Sequence, residues 1–182
     1  MRTRFAIGFV GAGALVCAAL AGAAEPPAGP PPNAPAGGAP QGPPPPARGP
    51  SLAVALAGVQ AAIDACSAKG FKVTAVVADS SGALKAGMVS DGVTGMTVRF
   101  ALGKIATAIE YKKNSADVAA EAQKDPELAA RLKENPNLIP WPGAVLLKAG
   151  DEIVGALAVS GASPEQDAAC AGEAAEKIKG RL

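Results

Sequence analysis

The spacing of hydrophobic positions alternates between a helical and a strand period from residue 51 onward. Apolar side chains first recur every three or four positions, which predicts an amphipathic helix that begins after Ser51 and ends before Gly70. The stripe predicted to be buried comprises Leu52, Ala55, Leu56, Val59, Ala62, Ile63 and Cys66. This helix should therefore lie on another apolar surface.

Two strands are predicted after this helix. Residues 72–79 are rich in valine and end at a turn made of Asp79, two serines and Gly82. Residues 83–90 return in the antiparallel direction, although their alternation of apolar and polar positions is weaker.

The central segment of the chain predicts a glycine-rich loop followed by an apolar helix. Gly92 and Gly95 mark the loop, and Thr97 is a suitable N-cap, so the helix is expected to begin near Val98 with Met96 just before it. The predicted buried stripe contains Val98, Ala101, Leu102, Ile105, Ala108 and Ile109, and the cations predicted to lie off it are Arg99, Lys104 and Lys112.

Two short helices and an irregular loop come next. Ser115 is expected to cap a helix that ends near Gln123, and Asp125 before Pro126 favours a second helix to about Glu134. These helices are charged and amphipathic, so both a lid and an oligomer contact are consistent with them. Residues 135–142 contain three prolines and are predicted to be irregular.

The last part predicts a hairpin and a terminal helix. Residues 144–148 and 152–160 are strands joined by a turn at Gly150, and Ser163 to Gln166 form a capping box for a helix ending by Gly180. The predicted order is α-β-β-α-(αα)-β-β-α. An antiparallel sheet with helices on its faces accounts for this order, and the fold class is α+β.

The N-terminal region predicts an exported protein. Two arginines precede an uncharged apolar run, and small residues follow, so residues 1–24 are interpreted as a signal peptide, with a membrane anchor as the alternative. Residues 25–50 hold 12 of the 17 prolines and predict a disordered tether. The folded domain is then residues 51–182, with a periplasmic or secreted location and no membrane association after cleavage.

Composition removes several classes of function. The net charge of +1 gives no reason to expect a nucleic-acid partner. Histidine is absent, which excludes Ser-His-Asp and Cys-His catalytic sites and every histidine-ligated zinc or haem. No acid–base pair indicates catalysis, so an enzyme is the less favoured interpretation.

The two cysteines outside the leader predict a disulfide. Cys66 and Cys170 lie on the first and last predicted helices, both of which should pack on the sheet. An oxidising compartment favours a bond between them, and two buried free thiols are the alternative. Their spacing is not the C-x-x-C of a redox pair.

Three motifs resemble the GlcG/HbpS-like haem-binding family. Asp91 and Gly92, followed by Lys104 to Ala108, are similar to that family's D-G and K-A-x-T-A pattern. Residues 155–161 resemble G-A-I-G-V-S-G with two replacements, and Asp167 to Ala171 matches D-x-x-C-A. One departure is the sequence at residues 140–144, where the family tends to have paired glycines.

This resemblance implies a profilin-like α+β fold and a bound haem. Many exported relatives have a histidine in the loop after D-G, where this chain has Met96, so the resemblance makes Met96 the candidate iron ligand. Cations for the haem propionates, and groups for the wall of the site, are expected among Arg99, Lys104, Thr107, Tyr111 and Trp141. For Met96, the alternative is a flexible apolar side chain that fills a gap at the start of the helix.

Three functions follow from these observations. The first is an exported protein that binds haem or another tetrapyrrole for storage, transport or sensing. The second is a module of the same fold that binds a small non-haem ligand or has a structural role, which the missing histidine favours. Haem degradation is the third, and a homo-oligomer is expected in each case.

Overall fold

The computed structural model describes residues 47–182, so the predicted signal peptide and most of the predicted tether lie outside the described residues. The elements in this range are α1 (Leu52–Ser67), β1 (Thr74–Asp79), β2 (Leu84–Val89), α2 (Met96–Tyr111), α3 (Ser115–Ala122), α4 (Pro126–Glu134), β3 (Ala144–Ala149), β4 (Glu152–Ser160) and α5 (Pro164–Ile178), followed by a 3-10 turn, Lys179–Arg181. No helix in residues 47–182 has the length and hydropathy to cross a membrane.

The four strands form one antiparallel sheet in the order β2-β1-β4-β3. β1 and β4 occupy the centre and pair directly, with Thr74 opposite Ser160 and Val77 opposite Leu157. The structure confirms the predicted α+β class and the order of the elements.

Helices cover both faces of this sheet. α1 and α5 pack on one face, around a core that includes Val77, Leu157 and Val159. α2 packs on the other face, where small side chains such as Ala78, Ala156 and Ala158 let the helix approach closely. Because both faces are covered, every residue of β1 is buried, which explains its continuous apolar sequence.

Side-chain caps fix three of the helix starts that the sequence predicts. The Ser51 hydroxyl accepts a hydrogen bond from the Val54 amide, and the Ser163 hydroxyl accepts one from the Gln166 amide. The Asp125 carboxylate accepts bonds from two amides in the first turn of α4. Each cap satisfies a backbone donor that the first turn of a helix leaves free.

Two predicted helix starts are wrong by one or two residues. α2 begins at Met96 with Gly95 as its N-cap, because the Thr97 hydroxyl donates to the Thr94 carbonyl and does not cap the helix. Asn114 occupies the N-cap position of α3 without a side-chain cap bond, while Ser115 is buried and its hydroxyl accepts a 2.9 Å bond from the Ala144 amide. Met96 is therefore the first residue of α2 and does not lie in the preceding loop.

Predictions of burial are also wrong at several positions. Leu52 and Leu56 are 58% and 49% exposed, because α1 presents its alanines and valines to the sheet. Lys104, predicted to lie off the buried stripe of α2, is only 2% exposed. Its burial places a charged group inside the domain.

The structure confirms the disulfide between Cys66 and Cys170. Both residues are fully buried, and the bond joins the end of α1 to the middle of α5. The Cα atoms are 5.5 Å apart, a separation typical of disulfides.

Residues 47–50, assigned to the tether from the sequence, contact the turn after β1. The Arg48 carbonyl accepts a 2.9 Å hydrogen bond from the Ser80 amide, and Pro50 is buried. A Cβ atom on Gly49 would lie 2.6 Å from Cβ of Asp79, so this approach requires glycine.

Burial alone would raise the pKa of Asp79, but hydrogen bonds from Ser81 and from the Ala83 amide outweigh it and the pKa is lowered.

Candidate functional site

A groove of about 480 Å³ runs along the outer face of α2. The helix contributes positions spaced by three and four residues, so they lie on one face. The loop before β3 forms the opposite wall. The lining residues are Gly95, Val98, Arg99, Leu102, Gly103, Ala106, Pro136, Asn137 and Ile139.

Gly103 determines how closely the loop of the opposite wall approaches α2. The Ile139 amide donates to the Gly103 carbonyl at 3.2 Å and to the Thr107 hydroxyl at 2.8 Å. A Cβ atom on Gly103 would lie 2.6 Å from Cγ1 of Ile139, so any larger residue would push the loop away. A glycine inside a helix costs stability relative to alanine, and here it allows this contact.

The groove is apolar along its length and charged at its rim. Leu102 is 36% exposed, and Val98 is half-buried beside it. The Arg99 side chain is exposed on the same face of α2. The arrangement suits a flat apolar molecule that carries an anionic group at one edge.

Met96 is the first residue of α2 and is 52% exposed. It shares a stripe of α2 with Phe100 and Gly103, and its neighbour Gly95 lines the groove. The Met96 side chain is therefore open to solvent at the first turn of α2, and Met96 is not one of the residues that line the groove.

A second cavity, which we call the aromatic pocket, lies on the other side of the loop and has a volume of about 290 Å³. Phe100 and Trp141 form one wall, with ring centroids 5.2 Å apart and an angle of 57° between the planes. The lining residues are Thr97, Phe100, Lys104, Trp141, Ser160, Gly161, Ala162, Pro164 and Asp167.

The floor of the aromatic pocket is a buried ion pair. The Lys104 ammonium donates to Asp167 Oδ2 at 2.7 Å and to the Val159 carbonyl at 3.0 Å. Asp167 Oδ1 accepts a 3.0 Å bond from the Ala162 amide, and the two side chains are 2% and 3% exposed. Burial lowers the pKa of Lys104, and the hydrogen bond and charge of Asp167 oppose this effect without cancelling it.

Gly143 makes room for this ion pair. Its φ of +136° is disfavoured for other residues, and a Cβ atom there would lie 2.6 Å from Lys104 Nζ and 2.7 Å from the Val159 carbonyl oxygen. The ion pair therefore depends on a glycine at the start of β3.

The six residues predicted for a haem site do not share one cavity. Arg99 lines the groove, Met96 is exposed at the start of α2 without lining either cavity, and Lys104 and Trp141 line the aromatic pocket. Thr107 is buried and donates to the Gly103 carbonyl, and Tyr111 packs against the core of α3 and α4. Because Lys104 is bound to Asp167, the interpretation of its side chain as an exposed cation is wrong.

Sequence reasoning missed Leu102 and Ile139 as groove residues and Asp167 as the partner of Lys104. Leu102 was assigned to the buried stripe, and Ile139 lies in a segment without periodicity. Lys104 and Asp167 each belong to a motif, but nothing in the sequence indicates that they pair.

The donors near the groove fit haem only through sulphur. No cluster of three or more histidine, cysteine, aspartate or glutamate side chains that would suit a metal ion occurs in residues 47–182. Met96 supplies a thioether beside an apolar slot, and Arg99 supplies a cation for a propionate. None of the residues that line the groove is a histidine, cysteine, methionine or tyrosine, so one ligand from Met96 is the most that this end of α2 offers to haem.

Comparison with known families gives one match over most of the folded domain. The model of the family described as haem-degrading, HbpS-like proteins matches residues 51–176. A comparison with curated proteins found no significant match.

Solved structures of low sequence identity share the fold. A double mutant of HbpS from Streptomyces reticuli is 24% identical, with 81% of this chain and 98% of that chain covered and a TM-score of 0.66. The ORFY protein of Klebsiella pneumoniae is 22% identical, with 72% and 91% covered and a TM-score of 0.67. A PduOC:heme complex is 19% identical, with 70% and 94% covered and a TM-score of 0.65. At these identities the likeness shows the fold alone.

Proposed function

The chain belongs to the HbpS-like family of haem-degrading proteins, and from that premise we propose that it is an exported protein that binds haem for storage, transport or sensing. The groove along α2 is the proposed binding site. The structure of a PduOC:heme complex, a protein of the same fold, supports a haem ligand for this fold.

The groove is the observation on which the proposal depends. Its volume of about 480 Å³ lies within the usual range for small-molecule sites, roughly 300–1,000 Å³. Val98, Leu102 and Ile139 supply apolar walls for a flat ring system. Arg99 at the rim supplies a charge for a propionate.

Met96 is the residue proposed to hold the haem iron. A bound haem iron supplies reversible electron transfer and gas binding, and a methionine ligand raises its reduction potential. This chain has no histidine to provide a second protein ligand. The site should therefore hold ferrous haem more tightly than ferric haem.

A second candidate is a non-haem ligand or structural role for the same groove. The observation that favours it is the absence of histidine, because other ligands need no iron-binding side chain. Haem degradation has the least support, since the groove contains no acid–base pair among its lining residues.

Replacing Leu102 with aspartate is expected to weaken haem binding roughly ten- to hundredfold. The substitution removes an apolar contact in the middle of the groove and places a carboxylate against the ring. Absorbance titration of the purified protein with haem measures the dissociation constant.

Leu52→Asp is the matched control, because Leu52 is 58% exposed on α1, across the sheet from α2. The control should bind haem as the unchanged protein does. Equal affinity of both variants would place haem outside the groove and would contradict the proposed site.

A further inference from the structure

We propose that the aromatic pocket is a second binding site, for a neutral single-ring aromatic molecule that carries a hydroxyl group. This pocket is separate from the groove, because the loop that contacts Gly103 and Phe100 lies between them. The inference therefore does not depend on haem binding.

Ser160 supplies a hydroxyl for the ligand. It is 4% exposed, it lines the pocket, and it lies opposite Thr74 on the α2 face of the sheet. The nearby hydroxyls are already engaged: Thr97 donates to the Thr94 carbonyl and accepts from Thr74 at 2.7 Å. Within residues 47–182 no hydrogen bond reaches the Ser160 hydroxyl, and it is not fully shielded from solvent. It can both donate to and accept from a bound molecule.

The aromatic wall selects a flat ring. Phe100 and Trp141 are tilted against each other, and Trp141 remains 50% exposed at the mouth of the pocket. An aromatic ligand in contact with these rings gains more than an aliphatic ring of similar area. The exposed part of the Trp141 indole is available for that contact.

The charges on the floor favour a neutral ligand. Lys104 and Asp167 both line the pocket, and their charges cancel at a distance of 2.7 Å. An anion would meet the Asp167 carboxylate, and a cation would meet the Lys104 ammonium, so either pays a desolvation cost without a free counter-charge. A hydroxyl group on the ligand avoids this cost.

The size of the pocket favours a small ligand. Its volume of about 290 Å³ is just below the usual range for small-molecule sites and well below that of the groove. A tetrapyrrole would not enter it. A phenol-sized molecule is small enough for this volume, and Trp141 and Ser160 both line it.

The test follows the indole N–H signal of the chain's single tryptophan by two-dimensional NMR. Phenol is titrated into the haem-free protein, with benzoate and cyclohexanol as comparison probes. We expect phenol to move the signal along a saturable curve, and we expect at least about threefold weaker binding for the other two. A linear, unsaturated response to phenol, or equal affinity for all three probes, would overturn the proposal.

Ser160→Ala tests the hydroxyl and should weaken phenol binding roughly three- to tenfold, the range for one lost neutral hydrogen bond. Leu102→Asp, which alters the groove, should leave the phenol titration unchanged. An unchanged affinity in Ser160→Ala would contradict the assigned role of Ser160. Loss of phenol binding in Leu102→Asp would contradict the separation of the two sites.

Discussion

Replacing Lys104 with methionine is expected to lower the free energy of unfolding by about 3–5 kcal/mol. The substitution removes one partner of a buried ion pair and leaves the Asp167 carboxylate, 3% exposed, with a single amide donor. A stability of about 5–15 kcal/mol is typical of a domain, so this loss is a large fraction of the total. Urea denaturation followed by circular dichroism measures it.

A second ion pair provides the control for this experiment. Lys113 binds Glu121, but the two side chains are 46% and 48% exposed. Lys113→Met should therefore cost less than about 1 kcal/mol. If Lys113→Met and Lys104→Met cost the same, the importance assigned to burial would be wrong.

The double variant Lys104→Met, Asp167→Asn should recover most of the lost stability, because no uncompensated charge remains.

The stability of this double variant should also depend on pH differently from that of the unchanged protein. Since burial lowers the pKa of Lys104, the unfolded chain binds this proton more tightly, and the stability of the unchanged protein rises with pH between that lowered pKa and about 10.4. The double variant lacks this contribution to the rise.

Loss of the disulfide is expected to lower the free energy of unfolding by about 3–5 kcal/mol. Cys66 and Cys170 are 104 residues apart, so the bond removes much of the freedom of the unfolded chain in the chain-entropy account. The variant Cys66→Ala, Cys170→Ala is compared with the unchanged protein in urea.

Reducing the disulfide in the protein that retains both cysteines separates the effect of the cross-link from the effect of core packing, because both sulphur atoms stay in the core. The reduced protein should lose nearly as much stability as the double alanine variant. If reduction lowers the free energy of unfolding by less than about 1 kcal/mol, core packing and not the cross-link is responsible for the loss in the double alanine variant.

The order of the elements could be predicted because local signals mark most of the boundaries. Ser51, Asp125 and Ser163 each cap a helix where the sequence indicates, and Gly82 and Gly150 lie in the turns at positive φ. These features act over a few residues, so spacing and residue type are sufficient to detect them.

Burial could not be predicted with the same success, because it depends on contacts between distant segments. Periodicity treats lysine as polar, so Lys104 was placed outside the core although Asp167 neutralises it there. Leu52 and Leu56 were placed inside, but the sheet contacts the valines and alanines of α1.

The candidate site could be predicted only in part for the same reason. The sequence indicated the start of α2, and the structure shows a groove along this helix that Arg99 lines. The opposite wall comes from Ile139, which packs against Gly103 from 36 positions along the chain. Neither the residue types nor the spacing of apolar positions around Gly103 and Ile139 predicts this contact.

Titration with ferric haem and then, after reduction, with ferrous haem is the decisive test of haem binding by this protein. We expect saturable binding of one haem per chain, tighter in the ferrous state, and a loss of at least about tenfold in ferrous affinity in Met96→Ala. Absence of saturable binding in both oxidation states would contradict the account of this protein as a haem-binding member of its family.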